Sequence, residues 1–232
     1  MKEVTIVIPN YNCEKYIETC INSVSYQKYV SKIIVADDCS TDSSTKILKD
    51  IYYFYFVELI HNKKNLGSPS YGINKAIEMC DTKYFMHVDS DDYLAINAIK
   101  TLLENIGDAN YIYGNLIPVD INDNILSKWK FQHYDNKSIQ ELIFRRGGSG
   151  VVPMFGLFKT EWLKKHLWSN LFHSEDTMTC VNYCLAGWVT KYIDYDFYFY
   201  RQRPESLSSK KDKKLKAMEI ITKKCFHSLY EN

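Results

Sequence analysis

Short runs of β-branched and other apolar residues alternate, along the first half of the chain, with segments in which apolar residues recur every three or four positions. The run Val4–Pro9 is apolar at nearly every position, which is typical of a strand buried on both faces of a sheet. A set with the spacing of one helix face follows it, namely Ile17, Cys20, Ile21 and Val24. This alternation predicts a parallel sheet covered by helices, and therefore an α/β fold.

The same alternation continues as far as residue 113. Further strands are predicted at 33–36, 57–60, 84–88 and 111–113. Further helices are predicted around 47–51, 73–80 and 96–106. Ser40 or Asp42 is expected to cap the first of these helices, because short polar side chains accept hydrogen bonds from the N–H groups of a first turn. The first part of the chain therefore has the pattern of a nucleotide-binding half.

Beyond Pro118 the regular alternation fades. A short strand is expected at 125–131, and Arg145–Gly150 is expected to be a loop because three of its last four residues are glycine. Ser174 is a suitable N-cap for a helix that reaches Ala186, and the aromatic run 189–200 resembles a strand. This second half is predicted to be more irregular than the first.

No repeat or linker separates independent domains. We predict one domain over 1–208, with a nucleotide-type half at 1–115 and a more irregular half at 116–208. The remaining residues, 209–232, form a basic tail that is expected to be helical.

Composition and charge exclude several classes of protein. The 232 residues are 46% apolar and 25% charged, which is typical of a globular domain rather than a disordered chain. Because 29 Lys and Arg balance 28 Asp and Glu, no basic excess indicates a nucleic-acid partner. The seven cysteines have irregular spacing without a Cys-x-x-Cys pair, which fits a reducing compartment. With no apolar run of about 20 residues and no signal-peptide pattern at the N-terminus, we expect a cytoplasmic protein.

Two acidic clusters follow predicted parallel strands directly. They are Asp37-Asp38 and Asp89-Ser90-Asp91-Asp92. In open α/β sheets, ligands bind beyond the carboxyl ends of the strands, where both clusters would lie. Crowded carboxylates repel one another unless a cation or hydrogen-bond donors neutralise them, and hard oxygen ligands suit Mg²⁺ or Mn²⁺. The clusters therefore predict a metal–diphosphate site, although a single acidic turn more often only caps a helix.

Four segments carry a resemblance to a known family, and their order and spacing match it over about residues 1–115. These segments are Val4–Asn12, Ile34–Asp42, Asn65–Gly67 and Val88–Asp92. They resemble the family 2 glycosyltransferases of the GT-A fold. The resemblance implies an inverting transfer of a sugar from a nucleotide diphosphate donor, with UDP-sugars as the commonest donors, to an acceptor hydroxyl. It also implies a Mn²⁺ or Mg²⁺ cofactor.

The resemblance implies roles for residues in the first half of the chain. Pro9 and Tyr11 match the lining of the nucleotide pocket, and Asp38, with Asp37 beside it, matches a carboxylate that binds the base. Asp89 and Asp91 match the family's Asp-x-Asp, the first contacting the ribose or metal and the second acting as the principal metal ligand. Asp92 is a candidate cap for the next helix. Cys39 stands where the family commonly has glycine, so this turn is not expected to need a positive φ.

The resemblance makes 1–115 the nucleotide-sugar-binding half and 116–208 the acceptor and catalytic-base half. This second half matches the family more loosely. Glu175-Asp176 resembles the acidic pair that supplies the catalytic base, and of the two we favour Asp176; an acidic first turn stabilised by the helix dipole is the alternative. The segment 200–208 resembles a late family motif in which Arg203 replaces histidine. A guanidinium cannot ligate a metal but can clamp a diphosphate.

The acceptor is expected to be a glycan or a lipid-linked glycan, as in bacterial surface-polysaccharide synthesis. The basic tail could then form an amphipathic helix on the inner face of the plasma membrane, or simply a solvated helix. A catalytically degenerate nucleotide-sugar-binding relative is the main alternative. A phosphohydrolase with an Asp-x-Asp strand is a weaker one, because its nucleophile would lie near the start of the fold. A receiver-type signalling module is excluded by chain length and by the strand on which its acidic pair would lie.

Overall fold

The computed structural model describes residues 3–55, 57–146, 151–171, 174–204 and 211–230. Within these ranges the chain forms one curled sheet of eight strands with helices on both faces. The strands are β1 (Val4–Asn10), β2 (Val30–Asp37), β3 (Val57–His61), β4 (Tyr84–His87), β5 (Tyr93–Leu94), β6 (Tyr111–Val119), β7 (Leu157–Lys159) and β8 (Thr190–Arg201). The helices are α1 (Ile17–Ser25), α2 (Ser44–Tyr55), α3 (Pro69–Met79), α4 (Ala98–Ile106), α5 (Asn136–Arg146), α6 (Thr160–Lys165), α7 (Glu175–Leu185) and α8 (Lys211–Tyr230).

The first four strands lie parallel in the order β3-β2-β1-β4, so their carboxyl ends share one edge of the sheet. Beyond β4 the sheet becomes mixed. Strand β7 is antiparallel to both β4 and β6, β8 is parallel to β6, and β5 is antiparallel to β8. The predicted α/β sheet flanked by helices is confirmed, and its parallel character is concentrated in the first four strands.

The sheet is buried on both faces, which explains the continuous apolar runs in its parallel strands. Ile6 and Ile8 of β1 pack into the core that contains α1 and α4, whereas Val7 packs into the core that contains α3. A Cβ on Gly72 would lie 2.6 Å from Cβ of Ala36, so α3 approaches β2 this closely only because residue 72 is glycine.

The second half departs from the sequence predictions in several places. Residues 125–131 do not form a regular strand; they pair with β6 only at the isolated bridges Leu116–Trp129 and Val119–Ile125. The predicted loop over Arg145–Gly150 is wrong at its start, because Arg145 and Arg146 end helix α5, while Gly147–Gly150 lie outside the described residues.

The N-cap predicted at Ser174 is also not formed by its side chain. Helix α7 begins at Glu175 as expected, but Ser174 has a φ of 54° and its side chain makes no cap hydrogen bond. A residue in the left-handed region does not have the extended backbone that directs a capping side chain towards the first turn.

Helix α8 spans Lys211–Tyr230, within the segment where a helical tail is expected, and packs on the rest of the molecule. Its buried residues Met218, Ile221 and Cys225 belong to the same core as α3 and α7. The Ser228 hydroxyl donates to Gln140 Oε1 of α5 at 2.8 Å. Across the described residues, no helix combines the length and apolar character required to span a bilayer.

Candidate active site

The carboxyl ends of β1, β2 and β3 carry a row of hydrogen-bonded polar side chains. Asp37, which is fully buried, accepts hydrogen bonds from Asn10 Nδ2 at 2.7 Å and from the Ser40 hydroxyl at 2.5 Å. Its second oxygen lies 2.9 Å from His61 Nδ1. Asn10, Asp37 and His61 are register partners across the three strands. The Asp37 carboxylate therefore binds neighbouring protein groups and fixes the shape of this edge.

Asp38 lies beside this row and organises the loop that follows β3. Its carboxylate accepts hydrogen bonds from the backbone N–H of Leu66 and of Gly67, at 2.9–3.0 Å, and from Asn62 Nδ2 at 2.8 Å. Tyr11, at the end of β1, is 46% exposed. The Asp38 backbone N–H also donates to the Asn10 carbonyl at 2.8 Å, so the loop at Gly67 is joined to the end of β1, where Tyr11 and half-buried Pro9 flank Asn10.

The expectation for the turn at Cys39 is wrong, because Cys39 has a φ of 64°. The backbone N–H and the hydroxyl of Ser40 both bind the Asp37 carboxylate, which turns the chain back within three residues. The tight turn therefore keeps the left-handed conformation that glycine favours, despite the side chain.

The turn after β4 brings three carboxylates together. Oxygen atoms of Asp89, Asp91 and Asp92 lie within 4.8 Å of one another. Asp92 is buried and accepts hydrogen bonds from the Arg201 backbone N–H at 2.7 Å and the Tyr198 hydroxyl at 2.8 Å. Asp92 therefore ties this turn to β8, and the predicted helix cap is wrong. Asp89 and Asp91 are half-buried and remain the candidate ligands.

Two arginines from the end of β8 hold Asp91. Arg201 Nε donates to the Asp91 backbone carbonyl at 2.8 Å, and the Arg201 guanidinium lies over the ring of Tyr16, 4.7 Å from its centroid. Arg203 Nε lies 2.5 Å from Asp91 Oδ2, as an ion pair whose N–H direction is not that of a hydrogen bond. Arg203 thus places a positive charge beside the candidate metal ligand.

The acidic pair at the start of α7 acts electrostatically on the turn after β4. Burial, followed by the charges of Asp91 and Asp176, raises the pKa of Asp89 to about 7, although Arg203 lowers it. Burial, followed by the charges of Asp176 and Asp89, raises the pKa of Glu175 to about 8. Asp89 and the pair Glu175-Asp176 therefore interact electrostatically, although at least 86 positions separate them in the chain.

We call the carboxyl groups of Asp89, Asp91, Glu175 and Asp176 the acidic centre. It contains the oxygen ligands that a divalent cation requires. Asp89 and Asp91 offer hard oxygen ligands, half-buried and close together, which suit Mg²⁺ or Mn²⁺. The raised pKa of Asp89 reflects burial and repulsion between carboxylates that Arg203 alone does not offset. A bound cation would remove this repulsion, so the residues present fit a metal.

Sequence reasoning missed Tyr198 and Arg201, which support the acidic turn from β8. The Tyr198 hydroxyl donates to Asp92 and accepts the backbone N–H of Asp89 at 3.1 Å, so it holds both ends of the turn. These contacts join residues 106 to 110 positions apart. The only signals in the sequence were that Tyr198 lies in the aromatic run 189–200 and that Arg201 lies in the late family motif at 200–208.

Comparison with known proteins identifies this site's family. The model for glycosyl transferase family 2 matches residues 5–167, which include both acidic turns. The chain belongs to glycosyl transferase family 2. It is therefore a glycosyltransferase, and the fold and family implied by its motifs are confirmed.

The chain is 29% identical to glycosyltransferase GlyG of Streptococcus pneumoniae over 88% of its own length and 72% of GlyG. It is 31% identical to a poly(ribitol-phosphate) beta-glucosyltransferase of Bacillus spizizenii over 87% of its own length, but spans only 32% of that enzyme. Among solved structures, S. aureus TarS 1–349 in complex with UDP-GlcNAc superposes with a TM-score of 0.74 at 19% identity. That superposition covers 99% of this chain and 71% of TarS 1–349, and it shows the GT-A fold.

Proposed function

We propose that this glycosyltransferase uses a divalent cation, Mn²⁺ or Mg²⁺, to transfer a sugar from a UDP-sugar donor to an acceptor hydroxyl with inversion. One observation carries the proposal: the carboxyls of the turn after β4 and of the first turn of α7 interact electrostatically. In addition to burial, the charge of Asp176 raises the pKa of Asp89, and the charge of Asp89 raises the pKa of Glu175. A metal-ligand turn facing a candidate base is the arrangement that a direct displacement requires. The UDP-GlcNAc complex of TarS supports UDP as the nucleotide.

On the donor side, Pro9, Tyr11 and Asp38 line the nucleotide pocket. Asp37 does not itself contact the base in this proposal; it binds Asn10 and His61 and so fixes their side chains at the strand ends. The carboxylate of Asp38 organises the loop at Leu66 and Gly67, so the base would meet a preformed surface.

At the diphosphate, Asp91 would hold the cation, with Asp89 beside it. The cation would supply Lewis-acid stabilisation of the negative charge that develops on the leaving diphosphate. Arg203 carries a fixed positive charge at the same place and can bind phosphate oxygens through its planar guanidinium.

Asp176 is the proposed base, and Glu175 is the alternative. The charge of Asp176 raises the pKa of both Asp89 and Glu175, so it faces the acidic centre rather than only stabilising its own helix. A carboxylate at this place would accept the proton of the acceptor hydroxyl as its oxygen attacks the anomeric carbon.

We further propose a glycan or lipid-linked glycan acceptor in bacterial surface-polysaccharide synthesis, in the cytoplasm. Relatives named as poly(ribitol-phosphate) glycosyltransferases support surface-polymer synthesis but do not themselves name a glycan acceptor. Peripheral membrane contact would use the exposed side of α8, which includes Lys223 and Lys224. Sedimentation with anionic vesicles of phosphatidylglycerol tests this contact; absence of binding at every salt concentration would exclude it.

Release of UDP tests the proposed activity. UDP-glucose, UDP-galactose and UDP-GlcNAc are incubated with the protein in MnCl₂, MgCl₂ or EDTA. We expect one donor to give UDP with a metal and none with EDTA. Asp91→Asn should lower the rate at least about 100-fold, because several kcal/mol of charge stabilisation are lost. Asp108→Asn, an exposed aspartate after α4, is the matched control. A protein that binds donors without releasing UDP would be the degenerate relative.

The base is assigned by a second pair of variants. Asp176→Asn should retain binding of the UDP-sugar, measured by thermal stabilisation, while transfer falls by about 100-fold or more. The rate of transfer by Glu175→Gln should fall much less. The reverse ranking of the two variants would assign the base to Glu175.

A further inference from the structure

Three aromatic rings contact one another in succession, beginning with an exposed ring at the molecular surface and ending near the acidic centre. The ring centroids of Trp129 and Tyr200 lie 5.5 Å apart, and those of Tyr200 and Phe155 lie 6.0 Å apart. Trp129 is 41% exposed, and the other two residues are half-buried. We call Trp129, Tyr200 and Phe155 the aromatic row.

The inner end of the aromatic row adjoins the candidate catalytic centre. Phe155 stacks on Tyr198 with ring centroids 4.6 Å apart, and its ring lies 5.1 Å from that of His87. The Tyr198 hydroxyl in turn accepts the backbone N–H of Asp89. The aromatic row is therefore continuous with the residues that hold the metal-ligand turn.

The outer end is held rigidly although it is exposed. Trp129 exchanges two backbone hydrogen bonds with Leu116 of β6, at 2.8 and 3.1 Å. Its neighbours Lys128 and Lys130 form ion pairs with Asp196 and Asp194 of β8. A fixed backbone beneath an exposed indole presents a preformed apolar surface, which reduces the cost of ordering on binding.

The position of the aromatic row separates it from the donor's nucleotide. The nucleotide residues lie at the ends of β1 and β2, whereas Trp129 pairs with β6 and Tyr200 belongs to β8. In the order β3-β2-β1-β4-β7-β6-β8-β5, strands β4 and β7 lie between these two groups, and the acidic turn leads from β4 to β5, which pairs with β8. The aromatic row therefore lies on the side of the sheet that holds the acidic turn, apart from the nucleotide residues.

We propose that the aromatic row is an acceptor subsite that stacks on the pyranose rings of a carbohydrate chain. Sugar rings present apolar C–H faces, which pair with aromatic rings, while their hydroxyls remain in water, as a half-exposed row allows. A ring-free polyol phosphate would gain little from stacking. This inference rests on the proposed function and names the chemical class of its acceptor.

Binding is tested by ligand-observed NMR with lactose, cellobiose and diacetylchitobiose, in the presence of UDP and MgCl₂, with ribitol and glycerol phosphate as ring-free probes. We expect at least one disaccharide to bind and the ring-free probes not to. Trp129→Ala and Trp129→Leu should each weaken the disaccharide Kd about tenfold, and Trp129→Phe should restore it to within about threefold. Tyr26→Ala, an 81% exposed aromatic beyond α1, is the matched control and should leave the Kd unchanged.

Turnover provides the second readout. Any disaccharide that binds should accelerate UDP release above the rate with water as acceptor, and Trp129→Ala should raise its KM about tenfold. The inference is overturned if no disaccharide binds, if only the ring-free probes bind, or if Trp129→Ala matches wild type. Failure of the proposed function is distinct, since the wild-type protein would then release no UDP from any donor, whether or not disaccharides bind.

Discussion

At the scale of single residues, the carboxylates of the site have two kinds of environment. Asp37 and Asp92 are buried, and their oxygens accept hydrogen bonds from protein donors. Asp89 and Glu175 lie among other carboxylates, and the pKa of each is raised. Asp92 belongs to both kinds, because burial and the charges of Asp91 and Asp89 raise its pKa although two protein donors bind it. The first kind stabilises the shape of the site, whereas the second is destabilising unless a ligand neutralises it.

His87, at the end of β4, gives a prediction about stability in acid. It is 4% exposed and packs against Trp168, and burial lowers its pKa to about 3. The folded protein therefore keeps the imidazole neutral, whereas the unfolded chain takes up a proton below about pH 6.5. Its contribution to the free energy of unfolding is complete above pH 6.5 and falls by about 1.4 kcal/mol per pH unit on acidification.

Urea unfolding of wild type and His87→Gln at pH 7 and pH 5 measures this effect. The loss of stability between the two pH values should be about 2 kcal/mol larger in wild type than in the variant. The acidic centre titrates in both proteins, so its contribution cancels in the comparison. His133→Gln, at an exposed histidine, should behave as wild type. Equal losses in wild type and His87→Gln would show that His87 takes up a proton in the folded state.

At the scale of elements, β8 is the support of the acidic turn. It contributes the Tyr198 hydroxyl, which contacts both Asp89 and Asp92, and Arg201, which binds the Asp91 carbonyl. Arg201 also donates to the Asp120 carbonyl and pairs with Asp123, so the turn after β6 is held to the same point. One strand thus joins the acidic turn after β4 to the turn after β6.

Tyr198→Phe should lower the affinity for the metal while lowering the stability of the fold only modestly. The substitution leaves the Asp89 N–H and one oxygen of Asp92 without their partner, at a cost of about 1–3 kcal/mol in stability. Loss of such support for a metal ligand typically reduces metal affinity about 10- to 100-fold. We therefore expect the Mn²⁺ concentration for half-maximal UDP release to rise at least about tenfold.

Tyr195→Phe is the matched control on the same strand. Its hydroxyl donates only to the Ile96 carbonyl among the described contacts, at 3.0 Å, away from the acidic turn. The Mn²⁺ dependence of this variant should match wild type. Equal Mn²⁺ dependence in Tyr198→Phe and Tyr195→Phe would remove Tyr198 from the support of the site.

The elements that could be predicted are those whose pattern is local. Val4–Pro9 and 33–36 are buried on both faces, so their continuous apolar runs indicated strands directly. Helix α5 has a weak pattern because its apolar residues are few, and β5 and β7 have only two and three residues. Pairing across the sheet, rather than local periodicity, stabilises such short strands.

The sequence indicated the carboxylates of the candidate site, but not the residues that hold them in place. Both acidic turns follow strands of the parallel part of the sheet, so their position at the same edge of the sheet followed from topology. The roles of individual carboxylates did not. Asp92 is distinguished from Asp91 by donors on Tyr198 and Arg201, and the strand that carries them is more than 100 residues away. No local pattern encodes such a contact.

At the scale of the whole molecule, the proposed donor and acceptor sites lie on different parts of the sheet. The proposed nucleotide residues lie at the ends of β1 and β2, and the aromatic row lies along β8 and the segment bridged to β6, with β4 and β7 between them in the strand order. The core under α3 and α7 is closed by α8, the last described element of the chain. The division at residue 208 stays a prediction, and the packing of α8 offers a way to test it.

Ile220 and Ile221 of α8 are adjacent but differ completely in burial, which gives that test. Ile221 is fully buried in the core, whereas Ile220 is 52% exposed. Ile221→Ala should lower the free energy of unfolding by about 2–5 kcal/mol, while Ile220→Ala should change it by less than about 1 kcal/mol. Urea unfolding of both variants measures the difference. If α8 were a separable tail, the two substitutions would have the same small effect. A large effect confined to Ile221 would mean that the helix folds as part of the same domain as the rest of the chain.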